Sequence, residues 1–250
     1  MGADVQRLPG GKGANQASAA ARLGARVSMI ASVGDDDSGA WLLSHLHKHG
    51  IDVSSVRRSG RPTGTAFITV DQNGENQIVV ASSANADLDV SSVGFDEFDV
   101  VLAQMEISQL VIEEAAKRSR SFILNVAPAR PVTLETLKRC AVVIANEVES
   151  SSLDLDVLEH CVITLGGRGA RLLRFGREVA RAEAAAIVPV DTVGAGDVFC
   201  AAYALQFALG VPANDALRFA VAAGSLATLG LGAQGSLPTT EEVEQWLERA

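Results

Sequence analysis

The stretch VDTVGAGDVFCAAYALQFALG, residues 190–210, places two glycines and two aspartates directly before a long apolar segment. It predicts a turn at Asp191–Val193 and a helix over about 195–209. The first N–H groups of a helix have no internal partner and carry partial positive charge. Because residues 194–196 are small, a phosphate can approach these groups closely. The turn is therefore predicted to be an anion hole.

Asp197 would stand beside a phosphate bound in this hole, placed to accept a proton from an attacking hydroxyl. The alternative is that Asp191 and Asp197 only cap the helix, which is the usual role of an aspartate at a helix start. Two glycines and two aspartates within seven residues favour the functional interpretation.

The composition limits the function classes. The chain has 250 residues, of which 48% are hydrophobic, and its 21 basic and 30 acidic residues give a net charge of −9. This charge argues against nonspecific binding to nucleic acid or to an anionic membrane. Three cysteines without metal-like spacing predict buried thiols in a reducing compartment. With no apolar N-terminal run and no segment long enough to span a bilayer, we expect a cytoplasmic protein.

Apolar strand patterns alternate with helical patterns along most of the chain. This alternation predicts an α/β fold, with a mostly parallel sheet covered by helices, in a single domain over residues 1–250. The segment 64–82 differs, because it contains two strand patterns around a turn at Asn73-Gly74. It predicts a hairpin that forms a small lid sheet beside the main one.

A second candidate site lies in PGGKGANQASAAARLGA, residues 9–25. It puts Lys12 and Asn15 at the start of an alanine-rich helix, where Lys12 can neutralise a phosphate and Asn15 can bond a hydroxyl. The block is not a Walker A loop, since no Ser or Thr follows Lys12. Taken alone, an ordinary glycine turn before a helix explains it better.

Two further candidates follow apolar strand patterns. Asn146 and Glu149 come directly after AVVIA, and ligands of open α/β sheets bind at such strand ends. Asn146 can contact a phosphate oxygen and Glu149 a metal-bound water, although an ordinary helix cap is as good an interpretation. The stretch TLGGRG, residues 164–169, can bring backbone to a nucleotide phosphate, or it can form a tight hairpin.

Two further patterns give little evidence of a functional site by themselves. GLGAQG, residues 230–235, fits G-x-G-x-x-G but follows a predicted helix rather than a strand, so the dinucleotide-binding context is missing. His45 and His49 share one helix face without an acidic partner, and a solvated helix end is favoured over a metal site.

The blocks GGKGANQASAAARLGA and DTVGAGD together resemble the two signatures of the PfkB carbohydrate kinase family. Linking segments such as TGTAF, NVAPAR and ITLGGRG are similar to its ribokinase-like members. The resemblance implies a three-layer α/β/α sandwich with a small β lid, whose strands come from about 1–10 and 62–83. It also implies ATP-dependent phosphorylation of a sugar's primary hydroxyl, with ribose preferred on overall likeness. Nucleoside, fructose and ketodeoxygluconate kinases remain alternatives, as does a non-catalytic homologue that binds nucleotide or sugar.

The resemblance also implies roles for residues of this sequence. The catalytic base is Asp197, and the anion hole is formed by Gly194, Ala195 and Gly196. The sugar contacts are Gly11, Lys12, Gly13, Asn15, Glu106 and Asp197. The ATP contacts are Asn146, Glu149, Thr164, Gly166, Gly167, Gly169 and Gly196, with Glu149 also holding Mg²⁺ through water. A monovalent cation, K⁺, is expected at Asp191, Val193, Ala227, Gly230, Gly232 and Ser236, mostly on backbone carbonyls. A homodimer through the lid is implied as well.

One departure from the family pattern concerns the N-terminal part. In the family a core strand and a lid strand precede the GGKGAN block, whereas about ten residues precede it here. The family aspartate that grips the sugar hydroxyls lies in that segment, and no residue here corresponds to it. We therefore expect an unpaired strand edge or a gap in the core.

Overall fold

The structure is a computed structural model that describes residues 6–70 and 76–249. Its helices in chain order are α1 Lys12–Arg22, α2 Asp37–Lys48, α3 Gln109–Arg118, α4 Leu134–Arg139, α5 Glu147–Ser150, α6 Ala195–Ala208, α7 Ala213–Ala227 and α8 Thr240–Arg249. Its strands are β1 Ala31–Gly34, β2 Val56–Ser59, β3 Thr65–Val70, β4 Asn76–Ala81, β5 Val101–Gln104, β6 Phe122–Asn125, β7 Val142–Asn146, β8 Cys161–Thr164, β9 Ala170–Arg174 and β10 Arg177–Ala182.

The main sheet has six strands in the order β10-β9-β8-β7-β6-β5. Strands β5 to β8 are parallel, and β9 and β10 join antiparallel at one edge. Along β6 and β7 neighbouring residues point to opposite faces, so Ile123 and Val142 pack with α6 and α7, and Leu124 and Val143 pack with α3 and α4. Both faces are covered, which explains why these strands are almost entirely apolar. The predicted three-layer α/β/α sandwich is confirmed.

Strands β3 and β4 form a separate two-stranded antiparallel sheet. The predicted hairpin is thus confirmed, while its turn at Asn73-Gly74 lies outside the described residues. Its apolar side chains Phe67, Ile68, Val79 and Val80 are exposed. A function as a lid stays a prediction. Residues 6–10 do not form a strand, so the lid strand expected near residues 1–10 is not seen where the chain is described; residues 1–5 lie outside that part.

Strands β1 and β2 form a third, parallel pair. In the described ranges β1 pairs only with β2, and β5 pairs only with β6, so each has one open edge. Both edges face a common groove, lined among others by Met29, Ala31, Val101 and Leu102. An open strand edge and a gap were expected, and both are present at this groove.

The sequence patterns missed two strands and overextended one. The apolar pattern of RVSMIASVG, residues 26–34, predicts one strand, but the strand is limited to β1, with one isolated bridge at Ser28. Strands β2 and β10 were not predicted. Each contains two arginines and is largely exposed, and charged side chains on short edge strands obscure the apolar alternation that marks a strand.

The three cysteines are buried and unpaired. Burial raises the pKa of Cys140 and of Cys161 to about 12. The described helices include none with the length and apolar character that crossing a bilayer requires.

Candidate active site

The start of α6 is open to a ligand. Gly194 has a φ of 81°, and a Cβ there would lie 2.5 Å from the Cα of Ala233, so the position requires glycine. The Gly196 and Asp197 amides have no acceptor in the described part of the chain, and a Cβ on Gly196 would meet nothing within 4 Å. Two free N–H groups beside empty space at a helix N-terminus form an anion site.

The Asp197 side chain points toward α1 and is only 6% exposed. Its Oδ2 accepts a hydrogen bond from Asn15 Nδ2 at 2.8 Å, and its Oδ1 accepts one from Gln16 Nε2 at 3.0 Å. The carboxylate is therefore buried against the helix that carries the predicted sugar contacts. An ionised carboxylate has about four acceptor positions, so these two bonds leave room for a substrate hydroxyl.

Gln16 belongs to a buried amide network that the sequence analysis missed. Gln104 Nε2 donates to Gln16 Oε1 at 2.6 Å, and Gln16 Nε2 is 3.3 Å from Asn125 Oδ1. Asn125 in turn donates to the carbonyl of Ile144. A signal was present, because Asn125 and Gln104 end strands of a parallel sheet, where polar residues gather around ligands.

Glu106 lies against the glycine turn that opens α1. Its Oε2 accepts the Lys12 backbone N–H at 2.9 Å, and a Cβ on Gly11, whose φ is 93°, would lie 3.9 Å from the same oxygen. A Cβ on Gly13 would lie 3.0 Å from Gln104 Oε1. The structure thus brings Gly11, Lys12, Gly13, Asn15, Glu106 and Asp197 into one region.

Charges from both halves of the site surround Cys200, one turn after Asp197 on α6. Burial raises the pKa of this thiol well above its usual value. The carboxylates of Asp197 and Glu149 raise it further, and the Lys12 ammonium lowers it. The Asp197 and Glu149 carboxylates therefore both act on the same buried thiol of α6.

Asn146 and Thr164 are register partners at the ends of β7 and β8. Asn146 Oδ1 accepts the Glu149 amide, and Glu149 Oε2 accepts the Asn146 amide, both at 2.8 Å. This capping box shows that the helix-cap interpretation is right for the backbone. Asn146 Nδ2 and Glu149 Oε1 have no hydrogen-bond partner among the described residues, and these atoms remain for a ligand.

The glycines after β8 divide into two kinds. Gly169 is required by the fold, since its φ is 88° and a Cβ would lie 2.0 Å from the Ala182 carbonyl oxygen. The hairpin interpretation thus holds for the turn into β9. At Gly166 and Gly167 a Cβ would meet nothing within 4 Å, so a molecule can approach this backbone.

The loop after α7 closes over Asp191. The Asp191 carboxylate accepts the amides of Val193 at 3.0 Å and Gly232 at 2.8 Å. A Cβ on Gly230 would lie 2.6 Å from the Ser236 Cβ, so the GLGAQG glycines serve a tight loop rather than a dinucleotide site.

Three backbone carbonyls of the predicted cation site have no amide donor within residues 6–70 and 76–249. No amide of the described chain donates to the carbonyls of Val193, Ala227 or Gly230, and such oxygens suit a hard cation. Groups of three or more His, Cys, Asp or Glu side chains with metal-binding geometry do not occur in the described ranges; the predicted site is of another kind.

Gly11, Gly13, Asn15 and Glu106 line a cavity of about 2630 Å³, whereas Lys12 and Asp197 are not part of its lining. Ligand pockets usually measure about 300–1,000 Å³. This cavity is larger because it continues into the groove between β1 and β5. Asn146, Glu149 and the Gly166–Gly169 turn are not part of its lining either.

A carboxylate beside free helix amides on an α/β/α sandwich suits a phosphotransferase whose acceptor is an alcohol group. The family model described as pfkB family carbohydrate kinase matches residues 2–240. The chain belongs to this family of carbohydrate kinases.

Individual relatives agree with the family assignment. The chain is 40% identical to the ribokinase of Bacillus subtilis, over 99% of this chain and 90% of the relative. Among solved structures, it matches the Thermotoga maritima ribokinase with a TM-score of 0.89 and 32% identity, covering 96% of this chain and 88% of that one. It also matches the Arabidopsis thaliana ribokinase complexed with ribose and ATP, with a TM-score of 0.89 and 28% identity over 96% and 87% of the two chains.

Proposed function

We propose that this protein is an ATP-dependent ribokinase that converts ribose to ribose 5-phosphate. The observation that carries the proposal is the position of Asp197, held by Asn15 and Gln16 beside the free amides of α6. The named ribokinase relatives and the structure with ribose and ATP support the choice of substrate.

In this proposal the γ-phosphate of ATP lies against the Gly196 and Asp197 amides, and the primary hydroxyl of the sugar faces the Asp197 carboxylate. The hydroxyl oxygen forms a bond to the γ-phosphorus as the bond to the β–γ bridging oxygen breaks, and ADP leaves. The hydroxyl proton passes to Asp197. Such transfer depends mainly on positioning and charge stabilisation, so a weak carboxylate base suffices when the proton leaves late.

The other residues position the two substrates. Lys12, Asn15 and Glu106 would hold sugar hydroxyls, with Gly11 and Gly13 allowing close approach. Asn146, Thr164 and the Gly166–Gly169 turn would hold ATP. Glu149 Oε1 would hold Mg²⁺ through water, and bound Mg²⁺ would supply neutralisation of phosphate charge. The Asp191 loop would hold K⁺ on its free carbonyls.

The hairpin suggests how the proposed enzyme assembles. Phe67 and Val79 share one face of this two-stranded sheet, and Ile68 and Val80 share the other. All four side chains are more than half exposed, and exposed apolar surface of this kind marks interaction sites. We include in the proposal a homodimer through this sheet, a lid role for the hairpin, and a cytoplasmic location.

ADP release measured with ribose, 2-deoxyribose, fructose, ketodeoxygluconate and adenosine tests the proposal, with and without KCl. Ribose should give the highest kcat/KM, and KCl should raise it. A higher kcat/KM with another acceptor would replace the substrate assignment. Absence of turnover, combined with thermal stabilisation by ATP or ribose, would instead establish a non-catalytic binding protein.

A further inference from the structure

A chain of hydrogen bonds connects α2 to the Asp197 carboxylate. His45 Nε2 is 2.8 Å from Gln234 Oε1, and Gln234 Nε2 donates to Asn15 Oδ1 at 3.0 Å. Asn15 Nδ2 then donates to Asp197 Oδ2 at 2.8 Å. We call His45, Gln234 and Asn15 the α2 relay. Neither His45 nor Gln234 has a part in the proposed function above.

In the α2 relay every hydrogen bond is donated in the same direction, from His45 toward Asp197. An amide oxygen only accepts, so His45 Nε2 is the donor in its contact with Gln234 Oε1. Gln234 then presents its NH₂ group to Asn15, and Asn15 presents its own NH₂ group to the carboxylate. Each member fixes the orientation of the next, and the series ends on an anion, which strengthens such bonds.

The other carboxylate oxygen of Asp197, Oδ1, is also bound by an inner amide that a second amide holds in place. Gln104 donates to Gln16 Oε1, and Gln16 donates to Asp197 Oδ1. In both arrangements an outer glutamine occupies the oxygen of an inner amide, so that the inner NH₂ group faces Asp197. The carboxylate by itself already favours the NH₂ group over the amide oxygen. The outer glutamine adds a second hydrogen bond, which fixes the plane of the inner amide.

We propose that Gln234 is a positioning residue for phosphoryl transfer. It holds the Asn15 amide so that one N–H faces Asp197 and the other remains for a sugar hydroxyl, and His45 holds Gln234 in turn. The catalytic part of this inference rests on the proposed function; the orientation of the Asn15 amide does not.

The test uses Gln234→Glu, which keeps the length of the side chain and replaces its donor with an acceptor. We expect kcat/KM for ribose to fall roughly 10-fold, the effect of about one lost buried hydrogen bond. The KM for ATP should be unchanged, and the melting temperature should fall by no more than a few degrees. His45→Gln, which keeps an N–H donor, should retain more activity than His45→Leu. His47→Leu, on the exposed face of the same helix, is the matched control.

The Asn15 side-chain amide resonances, followed by ¹⁵N NMR, provide a readout that does not need turnover. They should shift in Gln234→Glu and not in His47→Leu. If the wild-type protein phosphorylates no sugar but these resonances shift, the proposed function fails and the positioning of Asn15 stands. Unchanged resonances or a wild-type kcat/KM in Gln234→Glu would overturn the inference. It would also be overturned if the KM for ATP rose as much as kcat/KM for ribose fell and the melting temperature dropped by more than a few degrees.

Discussion

The substitution Asp197→Asn removes the proposed base while keeping the size of the side chain. We expect kcat to fall on the order of 10²-fold or more, which is the usual contribution of a positioned acid or base. At about 1.4 kcal/mol per tenfold, this equals a rise of about 3 kcal/mol in the activation barrier. ATP binding should persist, because the backbone amides of α6 remain.

The same substitution has a calculable effect on stability. Both carboxylate oxygens accept an amide NH₂ group, at 2.8 Å from Asn15 and 3.0 Å from Gln16. Asparagine offers one oxygen, so one of the two donors loses its acceptor. An unsatisfied buried donor costs about 1–3 kcal/mol, and removal of a buried charge offsets part of this. A drop of a few degrees in melting temperature is expected for a chain of this size.

The assay compares kcat from ADP release with the ATP dissociation constant from calorimetry, alongside a thermal melt. Asp215→Asn is the matched control, since Asp215 is an exposed aspartate in the first turn of α7. Its kcat should equal that of the wild type. Turnover of Asp197→Asn within a few-fold of wild type, with ribose and ATP saturating, would refute the assignment of the base.

The remaining predictions concern glycines and one aspartate. Gly194→Ala, at a φ of 81° and against Ala233, should lower the free energy of unfolding by at least about 1 kcal/mol in denaturant titrations, whereas Gly196→Ala should keep stability and lower kcat. Gly167→Ala should weaken ATP binding in calorimetry without lowering the melting temperature, and Gly169→Ala should lower that temperature; equal melts would contradict this. Asp36 accepts bonds from Thr63 and Gly39, which hold its pKa at about 2 against an ordinary 3.8. Its contribution to stability is thus complete above pH 3.8 and lost toward pH 2, so the melting-temperature gap between wild type and Asp36→Asn should close over that interval; a constant gap would contradict it.

The sequence predicted the sandwich because its central strands are buried on both faces and therefore appear as apolar runs. Strands β6 and β7 are of this kind. Strand β10 could not be recognised from the same pattern, because most of its residues are exposed and three of its six residues are charged. Strand β1 covers only the residues that pair with β2. The local sequence pattern could not give these boundaries, because it does not show which residues pair with another strand.

The sequence predicted those parts of the candidate site that lie in short motifs of glycine, charged and polar residues. The glycines and aspartates of the α6 turn and the Gly11–Asn15 block were found this way, and their roles stay predictions. Gln16, Gln104, Asn125 and Gln234 were missed. Each is a neutral amide whose importance comes from a partner more than 80 positions away in the chain, and one sequence cannot show such a contact.

The division of the sheets at the β1–β5 groove bears on how the molecule opens. Strands β1 and β2 and helix α2 adjoin α1 through a small core of Ala17, Leu46 and Ile51, whereas the six-stranded sheet has an extensive core on each face. Segments with few buried apolar contacts exchange their amide hydrogens through low-energy local openings. Deuterium should therefore enter β1 well before β6. We therefore expect the part of the protein that bears His45 and the hairpin to open first, while the part proposed to hold the nucleotide keeps its fold.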